Sequence, residues 1–421
     1  MRKMRRPLSL LTLALFACDP ATDDAAAAAE EAPVEGPALV EAPATTSTKA
    51  PAKPRAEAMP DAEKAFAKAR QLIAEHYVDA AIDPGTLYTG AVEGMLARLG
   101  QPTTYPINEL LAPRELAELL HGTGGTIVGV GVMIEQVAGV LVIRETIAGG
   151  PAATAGLQRG DRILEIDGAK IKGKPMVEIV DQIRGPAGTA IDLFVQRDTE
   201  EWHEKLVRQT VAIQNVESKL IGDKVGYLRL RGFAETTPAE FDAAVAALQT
   251  QGAESLVLDL RACPGGVLDA AIKVTGSLLR DGQAIVTTTG RDEPGKAAAA
   301  KGDGRWKDLP LAALIGPETA SGAEILADAL ATHKRATLIG APTFGKGTVE
   351  SIHELGNGWA IKLSTGRFVG AGGEPLPGRG VKPHLPVPVV AEVQLDPLDA
   401  VPSEADAALA VAKTWLEDQA K

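Results

Sequence analysis

From Asp61 the apolar positions recur with helical spacing. In DAEKAFAKARQLIAEHYVDA, Ala65, Phe66, Ala69, Leu72, Ile73 and Tyr77 fall on one stripe. The same pattern predicts two more helices, over PGTLYTGAVEGMLARLG and APRELAELLHG. Between Thr126 and Gln196 the period shortens. TIVGVGVMI, GVLVIRET, DRILEIDG and AIDLFVQR are short β-branched runs punctuated by glycine, which predicts strands, with one helix over KPMVEIVDQIRG. From Lys224 to Val389 strands and helices alternate. KVGYLRL, SLVLDLRA, PLAALIG and ATLIGAP are near-continuous apolar runs of the kind buried on both faces of a sheet. Between them TPAEFDAAVAALQTQG, GVLDAAIKVTGSLLRDG and TASGAEILADAL carry helical spacing, and EADAALAVAKTWLEDQ predicts a last helix. The expected class is multidomain α/β: a helical N-terminal domain over 59–121, a strand-rich domain over 122–200, a layered α/β core over 201–390 and a C-terminal helical tail over 391–421.

The first residues follow another logic. MRKMRRPLSLLTLALFAC sets Arg2, Lys3, Arg5 and Arg6 before an apolar run of roughly ten residues, then small Ala17 before Cys18. This predicts a secretory signal over 1–18, too short to span a bilayer as a helix. LFAC is similar to the bacterial lipobox, which implies cleavage before Cys18, lipid on its thiol and a membrane-anchored place on the periplasmic side of the cell envelope. Residues 19–58 are rich in Ala, Pro, Glu and Thr, without an aromatic or a period, and predict a disordered tether. With Cys18 lipidated, Cys263 has no partner, so stability rests on the core rather than on disulfides. The 421 residues are 45% hydrophobic and 23% charged, as in ordinary globular chains. The net charge is −12, more negative once the basic signal is removed, and no compact Lys/Arg cluster lies elsewhere. Nucleic acid is therefore excluded as a partner.

One helix start carries candidate chemistry. In TASGAEILADAL, Ser321 and Glu324 have capping-box spacing, in which each side chain satisfies a backbone N–H of the other residue. A helix N-terminus also aims free N–H groups and positive dipole at a developing oxyanion, and small Ala320 and Gly322 leave room for a substrate backbone. A nucleophilic serine needs a base beside it. The glycines of ACPGGVLD and Lys346 in APTFGKGTVE are candidates for the remaining parts. Lysine serves as a base only when burial and positive surroundings keep it neutral. GAPTFGK also has P-loop spacing, but Gly347 stands where that motif needs Ser or Thr, and TVESIHEL predicts a strand rather than a helix. Nucleotide binding is rejected on those two grounds.

GGPAATAGLQRGDRILEIDGAKI resembles a PDZ domain of the bacterial protease type. That resemblance implies that the backbone N–H groups of Gly129, Val130 and Gly131 receive a peptide's terminal carboxylate, and that the following strand takes the peptide as an added strand. The alternating core resembles the crotonase-like fold. SLVLDLRACPGGVLDAAIKV, TASGAEILADAL, PTFGKGTVE and PGRGVKPHLPV, behind a PDZ domain and a helical segment, resemble the carboxyl-terminal processing, or tail-specific, proteases. The resemblance implies a serine endopeptidase with Ser321 as nucleophile, Lys346 as general base, Gly322 and Gly266 as oxyanion donors, and Glu324 as the family's glutamate near the serine. It implies protein or peptide substrates with exposed C-terminal tails, no metal and no cofactor, and it leaves a homo-oligomer open. His333, at the far end of the serine's helix, and His353, on a predicted strand, are poorly placed to serve as the base. Three departures stand out: Glu350 replaces the family's glutamine, Ala262-Cys263 replaces a pair that is often Asn-Asn, and Pro383-His384 replaces Pro-Asp. A carboxylate beside the lysine would favour its protonated form, so a second reading is a non-catalytic PDZ adaptor with a degenerate protease core.

Overall fold

The computed structural model describes residues 61–78, 82–99, 107–137, 139–291, 295–376, 378–388 and 406–419. The expected signal, Cys18 and the tether lie outside the described residues. The stripe from Ala65 forms the helix Ala62–His76, and the next pattern forms Pro84–Ala97. The described residues up to Met95 form a unit of their own, and those from Leu96 onward form the main body. No residue of Ala62–His76 is buried; Phe66 and Tyr77 are about half exposed. The helical domain expected over 59–121 is therefore divided. Its third helix, Pro113–Thr123, belongs to the main body, where Leu111 and Leu119 pack on Ala360. The strand before that helix, Glu109–Leu111, pairs antiparallel with Trp359–Gly370.

The strand-rich domain is a six-stranded antiparallel sheet in the order Val132–Val137, Val140–Thr146, Arg162–Ile166, Ala190–Arg197, Glu200–Val207, with Ala169–Lys170 also paired to Arg162–Ile166. Leu141, Ile143, Ile163, Leu193 and Val195 share one core with Ile179 of the helix Met176–Ile183. TIVGVGVMI, read as one strand, is two. It breaks at Gly131, whose φ of +74° favours glycine and where a Cβ would lie 3.3 Å from the Gly150 Cα. The first piece, Thr126–Gly129, pairs instead with Gln209–Ala212. The expected boundary at 200 falls too early, because Glu200–Val207 forms a hairpin along the whole of Ala190–Arg197.

In the core, six strands run in the order Val216–Ile221, Val225–Leu230, Ser255–Asp259, Leu311–Ile315, Thr337–Gly340, Leu385–Pro386. The first pair is antiparallel and the rest parallel. Alternate residues face opposite sides of a strand. Leu228, Leu258, Ala313 and Leu338 meet the helices Thr237–Thr250, Leu268–Leu278 and Gly322–Thr332 on one face. Tyr227, Val257, Leu314 and Ile339 meet Leu409, Ala412 and Leu416 of Ala407–Gln419 on the other. The segment expected as a C-terminal tail thus supplies a helical layer of the core, since without it a row of apolar side chains would face water at about 1.5–3 kcal/mol each. A second, antiparallel sheet joins Glu109–Leu111, Trp359–Gly370, Ala284–Gly290 and Lys296–Ala299, with Thr348–Gly356 also paired to Trp359–Gly370. Among the described residues no helix is long and apolar enough to cross a membrane.

Candidate active site

Ser321 sits between the strand Leu311–Ile315 and the helix Gly322–Thr332. The turn leading to it is fixed from both sides. Gly316 N–H donates to Thr319 Oγ1 (2.9 Å), that hydroxyl donates to Leu260 O (2.9 Å), and Ala320 N–H donates to Cys263 O (3.0 Å). These bonds hold Ser321 at φ +54°, ψ −118°, a conformation that a residue with a Cβ rarely adopts and that persists only where its surroundings impose it. Half of the expected capping box forms: Ser321 N–H donates to Glu324 Oε2 (2.9 Å). The serine hydroxyl makes no cap bond, and Glu324 N–H goes to the Ser321 carbonyl instead (2.9 Å).

The glycine loop lies directly against the serine. A Cβ at Gly265, whose φ is +98°, would lie 2.7 Å from Ser321 Cβ and 2.8 Å from Gly322 N, so only glycine permits this approach. Gly266 follows, held beside Phe233: Phe233 N–H donates to Gly265 O (2.9 Å) and Val267 N–H to Phe233 O (2.6 Å). Among the described residues, neither the Gly322 N–H nor the Gly266 N–H donates to an acceptor. Two free donors beside a strained serine at a helix N-terminus can stabilise an oxyanion. Sequence reasoning named Gly266 and missed Gly265, for which the paired glycines were the only signal.

Glu324 joins this segment to the lysine. Its carboxylate is fully buried and accepts four bonds: Oε1 takes Thr343 Oγ1 (2.5 Å) and Gly345 N–H (2.6 Å), while Oε2 takes Ser321 N–H (2.9 Å) and Lys346 N–H (2.8 Å). Burial pushes this carboxyl above its ordinary range, and the four donors work against that shift by favouring the anion. The main chains of Ser321 and Lys346 therefore meet on one oxygen atom. The lysine loop is tied on its other side as well, by Gly378 N–H to Gly345 O (2.9 Å) and Val381 N–H to Thr343 Oγ1 (2.7 Å).

Beyond the loop, Lys346 Nζ lies 3.5 Å from Glu350 Oε2. Glu350 is fully buried, the lysine side chain is 16% exposed, and Thr348 Oγ1 donates to Glu350 Oε1 (2.6 Å). The residue after the loop begins the strand Thr348–Gly356, which agrees with the rejection of a P-loop. His333 bonds Ala284 O (2.7 Å) from the far end of its helix, and His353 is exposed. The other departures are structural. Burial pushes the Cys263 thiol up to about 12, so it stays protonated and inert. His384 Nδ1 accepts the Leu338 N–H (2.9 Å), a role open to a carboxylate as well.

In the strand-rich domain, Val130 O accepts Ala152 N–H (2.9 Å) and Gly131 O accepts Ile147 N–H (2.8 Å). The carbonyls of this loop are thus tied inward, while among the described residues the Val130 and Gly131 N–H groups have no acceptor. The strand after the loop, Val132–Val137, is an edge strand.

A Carboxy-terminal-processing protease from Bartonella bacilliformis is 36% identical over 315 residues, covering 72% of this chain and 70% of its own length. The chain belongs to the carboxy-terminal-processing protease family. Peptidase family S41 matches residues 224–387, and a PDZ domain matches 142–197. A Probable CtpA-like serine protease from Staphylococcus aureus is 30% identical over 306 residues, of which this chain spans 61% of the length. Among solved structures, the photosystem II D1 C-terminal processing protease aligns over 78% of this chain and 94% of its own, at 26% identity and a TM-score of 0.47. Within this family the fold is the expected one, a PDZ domain joined to an α/β protease core.

Proposed function

We propose that the protein is an envelope serine endopeptidase that selects exposed C-terminal tails through its PDZ domain and cleaves them with a Ser321–Lys346 dyad. The observation that carries this reading is the Glu324 carboxylate, which binds the main-chain N–H of a strained serine and of a lysine at once. In the first step Ser321 Oγ attacks the scissile carbonyl carbon while its proton passes to neutral Lys346 Nζ. The carbonyl oxygen becomes an oxyanion facing the Gly322 and Gly266 N–H groups; one such donor contributes on the order of 10²–10³ in rate. Collapse expels the amine, which takes the proton from Lys346, and leaves an acyl-serine. Water then attacks the ester with the lysine again as base, which frees the acid and regenerates the serine. The sequence LFAC supports anchoring through a lipid on Cys18.

Tail selection is tested by offering the purified protein one unstructured polypeptide in two forms, with a free C-terminal carboxylate and with an amide. The free form is expected to be cut at least about tenfold faster, because only a carboxylate engages the N–H groups at Val130 and Gly131. Equal rates would remove the PDZ loop from substrate choice.

Glu350 is the feature that favours the adaptor reading. Its Oε2 lies 3.5 Å from Nζ, so the lysine faces a carboxylate where the family has an uncharged glutamine, and only a free amine can take the serine proton. Glu350→Gln keeps the shape, with the amide oxygen facing Nζ and the amide nitrogen facing Thr348. With the charge beside Nζ removed, kcat/KM on an unstructured peptide is expected to rise. An unchanged or lower kcat/KM would remove the ground for the adaptor reading.

A further inference from the structure

The glycine loop is anchored at its root by a shared arginine. Arg261 holds Asp259 through Nη2 to Oδ2 (2.6 Å), Nε to both oxygens (3.0 and 3.1 Å) and its own N–H to Oδ1 (3.0 Å). The Tyr227 hydroxyl donates to the same Asp259 Oδ2 (2.7 Å). Burial works to raise the Asp259 carboxyl, and the Arg261 guanidinium overrides it and holds that carboxyl below its ordinary range. A second carboxylate reaches the guanidinium from another part of the chain: Asp406 Oδ2 lies 2.7 Å from Arg261 Nη2. Asp406 precedes the helix Ala407–Gln419 and caps it, since its Oδ1 accepts the Leu409 N–H (3.1 Å). The side chains of this pair are 13% and 3% exposed, so water screens it little. From Arg261 the chain passes Cys263, whose N–H bonds Leu260 O (3.0 Å) and whose carbonyl takes Ala320 N–H (3.0 Å), and reaches Gly265 and Gly266 beside Ser321.

We propose that Asp406 is a positioning residue for the reaction: by pairing with Arg261 it couples the docked C-terminal helix to the glycine loop, and so keeps the Gly266 N–H aimed at the oxyanion. This rests on the serine-peptidase reading. Asp406 lies outside residues 224–387, the part that matches the S41 family. With Asp259 alone, the guanidinium has one partner from its own strand end, two residues away. Asp406 adds a hold from a separate layer of the core through charge, as a close ion pair rather than a hydrogen bond.

The test uses the full chain with Asp406→Asn and Asp406→Ser, both good helix caps without the charge, beside Asp406→Glu. For the Asn and Ser variants, kcat on an unstructured peptide is expected to fall about ten- to hundredfold, part of what a lost oxyanion donor removes, with KM within about twofold. Binding of a peptide boronic acid, which mimics the tetrahedral species, is expected to weaken in parallel with the loss in kcat/KM. Asp406→Glu, which restores the charge, is expected to recover part of kcat. A kcat within twofold of wild type in both neutral variants would overturn the proposal. Loss of the fold in both, or falls in kcat that merely track Tm without weaker boronate binding, would also reject it by making Asp406 a stability element. Ser321→Ala run alongside separates the two failures: if it cleaves like wild type, the peptidase reading itself is wrong.

Discussion

Ser321→Ala is expected to reduce peptide cleavage by at least about 10³-fold while the fold stands. The loss follows from the missing nucleophile, because Lys346, the free N–H groups and the PDZ loop all remain. The stability effect is expected to be small. The serine hydroxyl makes no cap bond, and the bond that does tie this residue to Glu324 uses its main-chain N–H, which alanine keeps. The change in unfolding free energy is therefore expected within about 0.5 kcal/mol, the range of substitutions that break no bond. The usual penalty of about 0.5–2 kcal/mol for a lost serine cap does not apply. Rates of peptide release and a thermal melt of both proteins check the pair of claims. Equal cleavage would end the assignment of the nucleophile.

Lys346→Arg is expected to fall by about 10²–10⁴-fold, the usual contribution of a general base. Arginine keeps the positive charge, the contact to Glu350 and the main-chain N–H on Glu324 Oε2, so the loop has no reason to move. What it lacks is a neutral form near physiological pH. Appreciable activity in the arginine variant would show that another group takes the proton.

The parallel strands of the core were legible because burial on both faces leaves unbroken apolar runs, as in SLVLDL and PLAALI. The strands Ala284–Gly290 and Trp359–Gly370 were not read, since threonine, serine, lysine and glycine interrupt their apolar positions. The C-terminal helix was legible as a helix, but its place on the sheet was not, because the pairing of Asp406 with Arg261 joins residues far apart in the chain. At the site, Ser321 showed itself through the helix start that it shares with Glu324. The wider role of Glu324 left no trace: its partners near residue 345 are mostly main-chain N–H groups, and any residue type supplies those. Gly265 was passed over for a related reason, since a close approach of two backbones is a tertiary event and the sequence shows only a glycine.

The four bonds on Glu324 also bear on when the enzyme can first act. The carboxylate draws its donors from the start of one helix and from a loop that is itself tied to residues 378–381. Until that late segment of the chain has docked, the lysine loop lacks one of its two anchors. On the proposed reading, a chain still folding has no assembled dyad and cannot cut its unfolded neighbours, and completion of the fold itself switches the protease on.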